Sequence, residues 1–189
     1  DLLNNQGLLE RCRFLADKTA TKYSMLHGDD EFFLPSSLDS QIEFLENNEG
    51  FVSCTGQCLS FRPQAYALLS EITYPELNGY EVSSRSPAER LNFHMKQYTP
   101  SLVYSVTKTR YWKLAFELGC ISNNFSFWAG GEILVEMALA YLGKSKVIGT
   151  LGWLRSKENE RIQGKGTYEK HESRFSTWWE SDEMENERE

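Results

Sequence analysis

Residues 23–33 read Tyr23-Ser24-Met25-Leu26-His27-Gly28-Asp29-Asp30-Glu31-Phe32-Phe33, and Pro35 follows closely. A short apolar run rises into three adjacent carboxylates and then into two aromatics. Adjacent acids repel one another and gain little in a folded core, so a cation that neutralises them is a natural explanation. In an extended segment side chains i and i+2 share a face. Asp29 and Glu31 therefore point to one site and Asp30 to the other side. Carboxylates with few further ligands suit Mg²⁺ or Mn²⁺ carrying phosphates. A solvated acidic turn ahead of a helix is the plain alternative.

Working outward, residues 7–18 place Leu8, Leu9, Cys12, Leu15 and Ala16 at helical spacing. Tyr23–Leu26 reads as a strand that ends at the acids. Pro35-Ser36-Ser37 opens a helix with Leu38, Ile42 and Leu45 inward, stopped by Asn47, Asn48 and Gly50. Residues 51–54 and 57–61 read as two strands separated by Thr55-Gly56. Pro63 opens a helix-like segment through Ala65, Leu68 and Leu69. Residues 73–85 are a loop that could order over a ligand. Ser86-Pro87-Ala88-Glu89 is a capping-box start, with Leu91, Met95 and Tyr98 as the inward stripe and Pro100 as the stop. A strand over 102–107, a helix over 111–118 closed by Gly119 and a loop over 119–129 follow. A helix opened by Gly131-Glu132 runs to Leu142, and a strand spans 147–154. Beyond Arg155 the chain turns polar, with Phe175, Trp178 and Trp179 docking a last helix. The pattern predicts an α/β domain over 1–155, with a mixed sheet flanked by helices, and a polar extension over 156–189.

Composition narrows the class. The chain has 189 residues, 40% hydrophobic and 25% charged, with no run of membrane-spanning length. Its net charge is −7, most of it in six acids of residues 180–189, so no basic face for nucleic acid is expected. Cys12, Cys54, Cys58 and Cys120 lack a second close pair that would complete a zinc site. They read as reduced, buried thiols of a cytoplasmic protein.

Further residues carry candidate chemistry. Glu132 follows Trp128-Ala129-Gly130-Gly131 and opens a helix, where it is either a general base near a substrate or a carboxylate settled by the helix dipole. Arg155, two residues after Trp153, could clamp a diphosphate; Arg110 is its rival. His27 could add a contact beside the acids, whereas His94 reads as structural. Trp128 and Trp153 could stack a sugar ring or fill the core. Gly164-Lys165-Gly166-Thr167 lacks the spacing of a phosphate loop.

The succession from Lys22 through the acids to Pro35-Ser36-Ser37-Leu38, and on to Ile42-Glu43-Phe44-Leu45-Glu46-Asn47-Asn48, resembles family 2-like glycosyltransferases of the GT-A fold. There a strand delivers an Asp-rich DXD motif followed by an aromatic, a proline and a helix. The likeness covers about residues 8–155, and residues 23–61 are most similar to a bacterial subgroup with a triple-acid motif. It implies a nucleotide-sugar donor, a sugar or glycan acceptor and a divalent metal (Mn or Mg). Asp29, Asp30 and Arg155 would lie on the donor, Asp29 and Glu31 on the metal, and Glu132 would act as base on the acceptor hydroxyl. Glu31 stands where the family usually has Asp, and Gly-Gly-Glu replaces the usual paired acids. About 22 residues precede Tyr23, too few for the base-binding βα units. The resemblance thus implies either an incomplete GT-A domain, the C-terminal portion of a longer enzyme, or a reduced nucleotide site; the first is the expectation, and the chain alone is then expected to bind a nucleotide sugar weakly or not at all. A non-catalytic carbohydrate- or partner-binding domain and a metal-dependent phosphoester hydrolase remain alternatives.

Overall fold

The computed structural model describes residues 8–28, 31–96, 98–99, 101–120 and 130–158, with residues 180, 182 and 185. In chain order the elements are α1 (Leu8–Lys18), β1 (Tyr23–Ser24), β2 (Glu31–Phe33), α2 (Pro35–Asn47), β3 (Phe51–Gln64) and β4 (Ala67–Thr73). A 3₁₀ turn (Pro75–Leu77), β5 (Glu81–Val82), α3 (Pro87–Lys96), β6 (Val106–Lys108), α4 (Thr109–Gly119), α5 (Gly130–Leu142) and β7 (Lys144–Ser156) complete them. The seven strands form one mixed sheet in the order β1-β6-β3-β7-β2, with β4 also on β3 and β5 also on β7. Helices flank it, so the α/β class and mixed sheet are present. Among the described residues no helix is long and apolar enough to cross a membrane.

The long central strands set this order. β3 is buried almost continuously from Val52 to Ser60, the pattern of a strand covered on both faces. It runs parallel to β7, whereas every other pairing is antiparallel. The helices between the two strands supply the crossover that parallel pairing requires. Leu45 of α2 packs with Cys54 and Val106 of the sheet. A larger cluster gathers Cys12 and Ala16 of α1, Trp112 and Phe116 of α4, and Val135 and Leu139 of α5. Phe116, Val135 and Leu139 are almost wholly buried. Each contributes about 1.5–3 kcal/mol by leaving water. All four cysteines are free and buried. Burial pushes the thiols of Cys54 and Cys58 up to about 12, which keeps them protonated.

Several expectations are corrected. Tyr23–Leu26 is not one strand running into the acids: β1 stops at Ser24, and Glu31 begins a separate strand. Thr55-Gly56 is not a break between strands but lies inside β3, where the register against β7 shifts. A Cβ on Gly56 would sit 2.6 Å from Gly152 Cα, and one on Gly152 would sit 2.8 Å from Gly56 Cα. The two strands thus approach as only facing glycines allow. The extra residues fall on the β7 side, where Thr150 Oγ1 meets Ser37 Oγ of α2 at 3.1 Å. Residues 67–73 are a strand rather than a helix, closing a hairpin on β3 with Gln64 opposite Ala67.

The fully buried positions of α3 are Arg90 and His94; of the expected stripe Leu91 packs, partly buried, against the main core, Met95 is exposed, and Tyr98 lies beyond the helix with its ring against His94. Arg90 Nε donates to the carbonyl of Ala140 at 2.8 Å, and Arg90 also bonds the Tyr141 carbonyl, so it caps the end of α5. Ser86 Oγ accepts from the Glu89 N–H at 3.4 Å as a capping residue should, but Glu89 bonds Ser84 rather than reaching back to Ser86. The strand expected over 102–107 is confined to β6 at its end. The last helix around Phe175, Trp178 and Trp179 falls outside the described residues, as does Pro100.

The glycine crossing gives a direct check. Gly56→Ala is expected to lower stability by about 1–3 kcal/mol or more through overpacking of backbone on backbone. Gly149→Ala, whose Cβ would meet nothing within 4 Å, should stay within about 0.5 kcal/mol. Urea midpoints of the two variants measure the contrast, and equal midpoints would contradict it.

Candidate functional site

The site is built from the pairing of β2 with β7. Glu31 lies opposite Arg155 and Phe33 opposite Trp153. The i, i+2 spacing on each strand puts all four side chains on one face. Phe33 stacks on Trp153 at 6.0 Å between ring centroids, and Tyr104 stacks on the same indole at 5.7 Å. Tyr74 lies against it at 6.3 Å. Trp153 is only 1% exposed. It is therefore a pillar under the site rather than a platform on which a sugar ring could stack.

Glu31 is 4% exposed and is held from several sides. Its N–H donates to the Gly28 carbonyl, and its Oε2 accepts from the Gly28 N–H at 3.3 Å. Arg155 Nε lies 3.9 Å from Glu31 Oε1. Arg155 also donates through a terminal nitrogen to the Tyr74 hydroxyl at 2.6 Å. Tyr74 has φ of 56°, the left-handed region, and is the non-glycine residue with positive φ among the described ones. A tyrosine there is held at a cost of about 1–2 kcal/mol. The contact with Arg155 and Trp153 is what over-determines it.

Glu132 enters from the first turn of α5. Burial raises its pKa first, and the neighbouring carboxylate of Glu136 raises it further; a hydrogen bond from Tyr98 and the charge of Arg155 oppose this. Burial also raises the hydroxyl of Tyr104, with the charges of Glu132 and Glu31 adding to it and Arg155 opposing. Burial raises Tyr98 likewise, with Glu136 and Glu132 adding. One array thus brings buried Glu31, half-buried Glu132, one guanidinium and three tyrosines into mutual electrostatic reach. A carboxyl whose pKa is raised by burial is suited to take a proton near neutral pH.

Glu31, Glu132 and Arg155, expected as site residues, come together. Asp29, Asp30 and Trp128 lie outside the described residues. His27 is exposed, with its ring 4.9 Å from Phe33. Arg110 lies at the opposite end of the sheet order, against Tyr111, in a cavity of about 810 Å³ also lined by Lys22, Lys108 and Lys113. It is therefore no rival to Arg155 for this site. Tyr74, Tyr98 and Tyr104 do not stand out as site residues in the sequence. Only their positions hint at them: Tyr74 precedes Pro75 in the 73–85 loop, and Tyr98 closes the α3 segment. Among the described residues no group of three or more His, Cys, Asp or Glu is placed to hold a metal ion. Glu31 is the described oxygen donor at the expected position.

No protein-family model matches the chain, and no curated protein matches it. The array itself makes a stability prediction. A glutamate whose pKa is higher folded than unfolded favours folding most below the ordinary value of 4.5, and that benefit is lost as pH rises through the folded value. Glu132→Gln should therefore melt above the unmodified protein at pH 7, and the difference should vanish near pH 4. Thermal melts across that range measure it, and a variant less stable at pH 7 would contradict the assignment.

Proposed function

We propose that this chain carries the diphosphate and acceptor side of a GT-A-type glycosyltransferase site. It would transfer a sugar from a nucleotide-sugar donor to a hydroxyl of a sugar or glycan acceptor. The observation that supports this reading is the convergence of buried Glu31, Arg155 and raised-pKa Glu132 on one array. In this reaction the acceptor oxygen forms a bond to the anomeric carbon. The bond from that carbon to the diphosphate breaks, and the diphosphate leaves with the electron pair. The acceptor proton would pass to Glu132, whose pKa, raised by partial burial and by Glu136, suits it to that task.

Arg155 would orient the diphosphate, since a guanidinium forks onto phosphate oxygens. The Tyr74 hydroxyl, already accepting from Arg155, fixes which way the fork points. Oxygen donors of the kind Glu31 offers fit Mg²⁺ or Mn²⁺, and Asp29 would supply the second carboxylate. A divalent cation held there would offset charge on the leaving diphosphate. Glu31 is one methylene longer than the usual Asp, which it accommodates by folding back onto Gly28.

A panel of nucleotide sugars with Mn²⁺ and simple saccharide acceptors tests the proposal on the full chain. Whatever transfer the chain supports is expected to depend on Glu132 and to fall roughly a hundredfold or more in Glu132→Gln. Glu31→Gln should lose transfer comparably, and circular dichroism should show both variants folded. Release of phosphate without an acceptor would point to hydrolysis instead. Saturable binding of a nucleotide sugar with no turnover would point to a binding domain.

A further inference from the structure

One turn beyond Glu132 on α5 stands a carboxylate that the proposed reaction does not use. Glu136 is fully buried, as is His94 of α3, each 0% exposed. A carboxylate so placed persists only where its charge is answered by donors. Glu136 Oε1 accepts from the backbone N–H groups of Ser101 and Val103 at 3.1 and 2.8 Å, and Oε2 from that of Leu102 at 3.1 Å. His94 Nε2 lies 2.9 Å from Oε2, at ion-pair distance without hydrogen-bond alignment. The other ring nitrogen of His94 meets the Tyr80 hydroxyl, which fixes the imidazole.

Residues 101–103 belong to no helix or strand, and their side chains are buried. Their N–H groups donate these hydrogen bonds to Glu136, which ties the turn to α5. The turn is bracketed by Tyr98 and Tyr104. The first bonds Glu132, and the second stacks on Trp153 within reach of Glu132, Glu31 and Arg155.

We propose that Glu136 is a positioning residue for Glu132: it clamps the 101–103 turn and so holds Tyr98 and Tyr104 against the Glu132 carboxylate. This rests on Glu132 being the base of the proposed reaction. The groups facing Glu132 are Glu136 on its own helix, Tyr98 after α3, Tyr104 before β6, Arg155 on β7 and Tyr74 after β4. Those facing Glu136 are His94 of α3, Tyr98 and Tyr80. Glu136→Gln removes a like charge, which lowers the Glu132 pKa, and releases the Tyr98 hydroxyl, whose hydrogen bond also lowers it, so the two effects oppose one another. Loss of a residue that merely satisfied the turn would leave the effect of the Tyr98 hydroxyl on Glu132 unchanged.

The test is carbon-detected NMR of the Glu132 carboxyl across pH, with amide exchange at residues 101–103, in the unmodified protein and in Glu136→Gln, each with and without Tyr98→Phe. The unmodified protein should show slow exchange at those three amides and a Glu132 midpoint above that of ordinary glutamates. In the Glu136→Gln background, adding Tyr98→Phe should no longer move the Glu132 midpoint, whereas Tyr98→Phe alone should raise it. In Glu136→Gln the amides should exchange roughly tenfold to a hundredfold faster, as loss of a hydrogen bond to a charged group allows. A Tyr98→Phe shift of equal size with and without Glu136 overturns the proposal, as does fast exchange in the unmodified protein. If Glu136→Gln does not fold, Tyr98→Phe decides. Removing the hydroxyl should raise the Glu132 midpoint while the amides stay protected, and an unmoved midpoint overturns the proposal. Neither readout needs a sugar donor, so absent transfer activity would defeat the functional reading without touching this one.

Discussion

The parallel pairing of β3 with β7 through Gly56 and Gly152 is the constraint on which the other features depend. Facing glycines let the two backbones approach where any Cβ would collide. The mismatch in residue number is absorbed on the β7 side, whose Thr150 is fastened to Ser37 of α2. Past that point β7 continues straight along β3 and presents Trp153 and Arg155 to β2. Without this crossing Glu31 would have no strand to lie against. Trp153 could not then serve as the shared support of Phe33, Tyr74 and Tyr104.

Much of the helical framework was legible in the sequence because its signals are local. Pro35 opens α2, Gly119 ends α4, and Gly143 follows the end of α5. The strand errors arose where the deciding partner is distant in sequence. Thr55-Gly56 carries the marks of a turn, and only its contact with Gly152 shows it to be a crossing. Ala65, Leu68 and Leu69 satisfy helical spacing, and the hairpin turn at Ala65-Tyr66 lacks the glycine or asparagine that usually announces one. On α3 the apolar stripe gave Leu91 but not the two fully buried positions, which serve the Ala140 carbonyl and the Glu136 carboxylate.

The site was legible by residue type rather than by neighbourhood. Glu31, Glu132 and Arg155 stood out as charges in unusual settings. Their joining depends on β2 pairing antiparallel to β7 and on α5 ending its first turn nearby. The tyrosines left no mark because a single tyrosine has no periodic or motif signature. Their role emerges from burial among charges. Glu132 held beside Glu136 and Tyr74 held at positive φ are both unfavourable for folding alone. Such local conflicts are expected where a fold maintains chemistry rather than stability.

The central claim is that the junction of β2, β7 and α5 receives a metal-bound diphosphate. Paramagnetic broadening by Mn²⁺ in amide NMR spectra, with and without a nucleoside diphosphate, tests it most directly. The account predicts that broadening centres on Gly28, Glu31, Tyr104 and Arg155, and that the diphosphate strengthens it. Broadening centred on Lys108, Arg110 and Lys113, or none that the diphosphate strengthens, would contradict it.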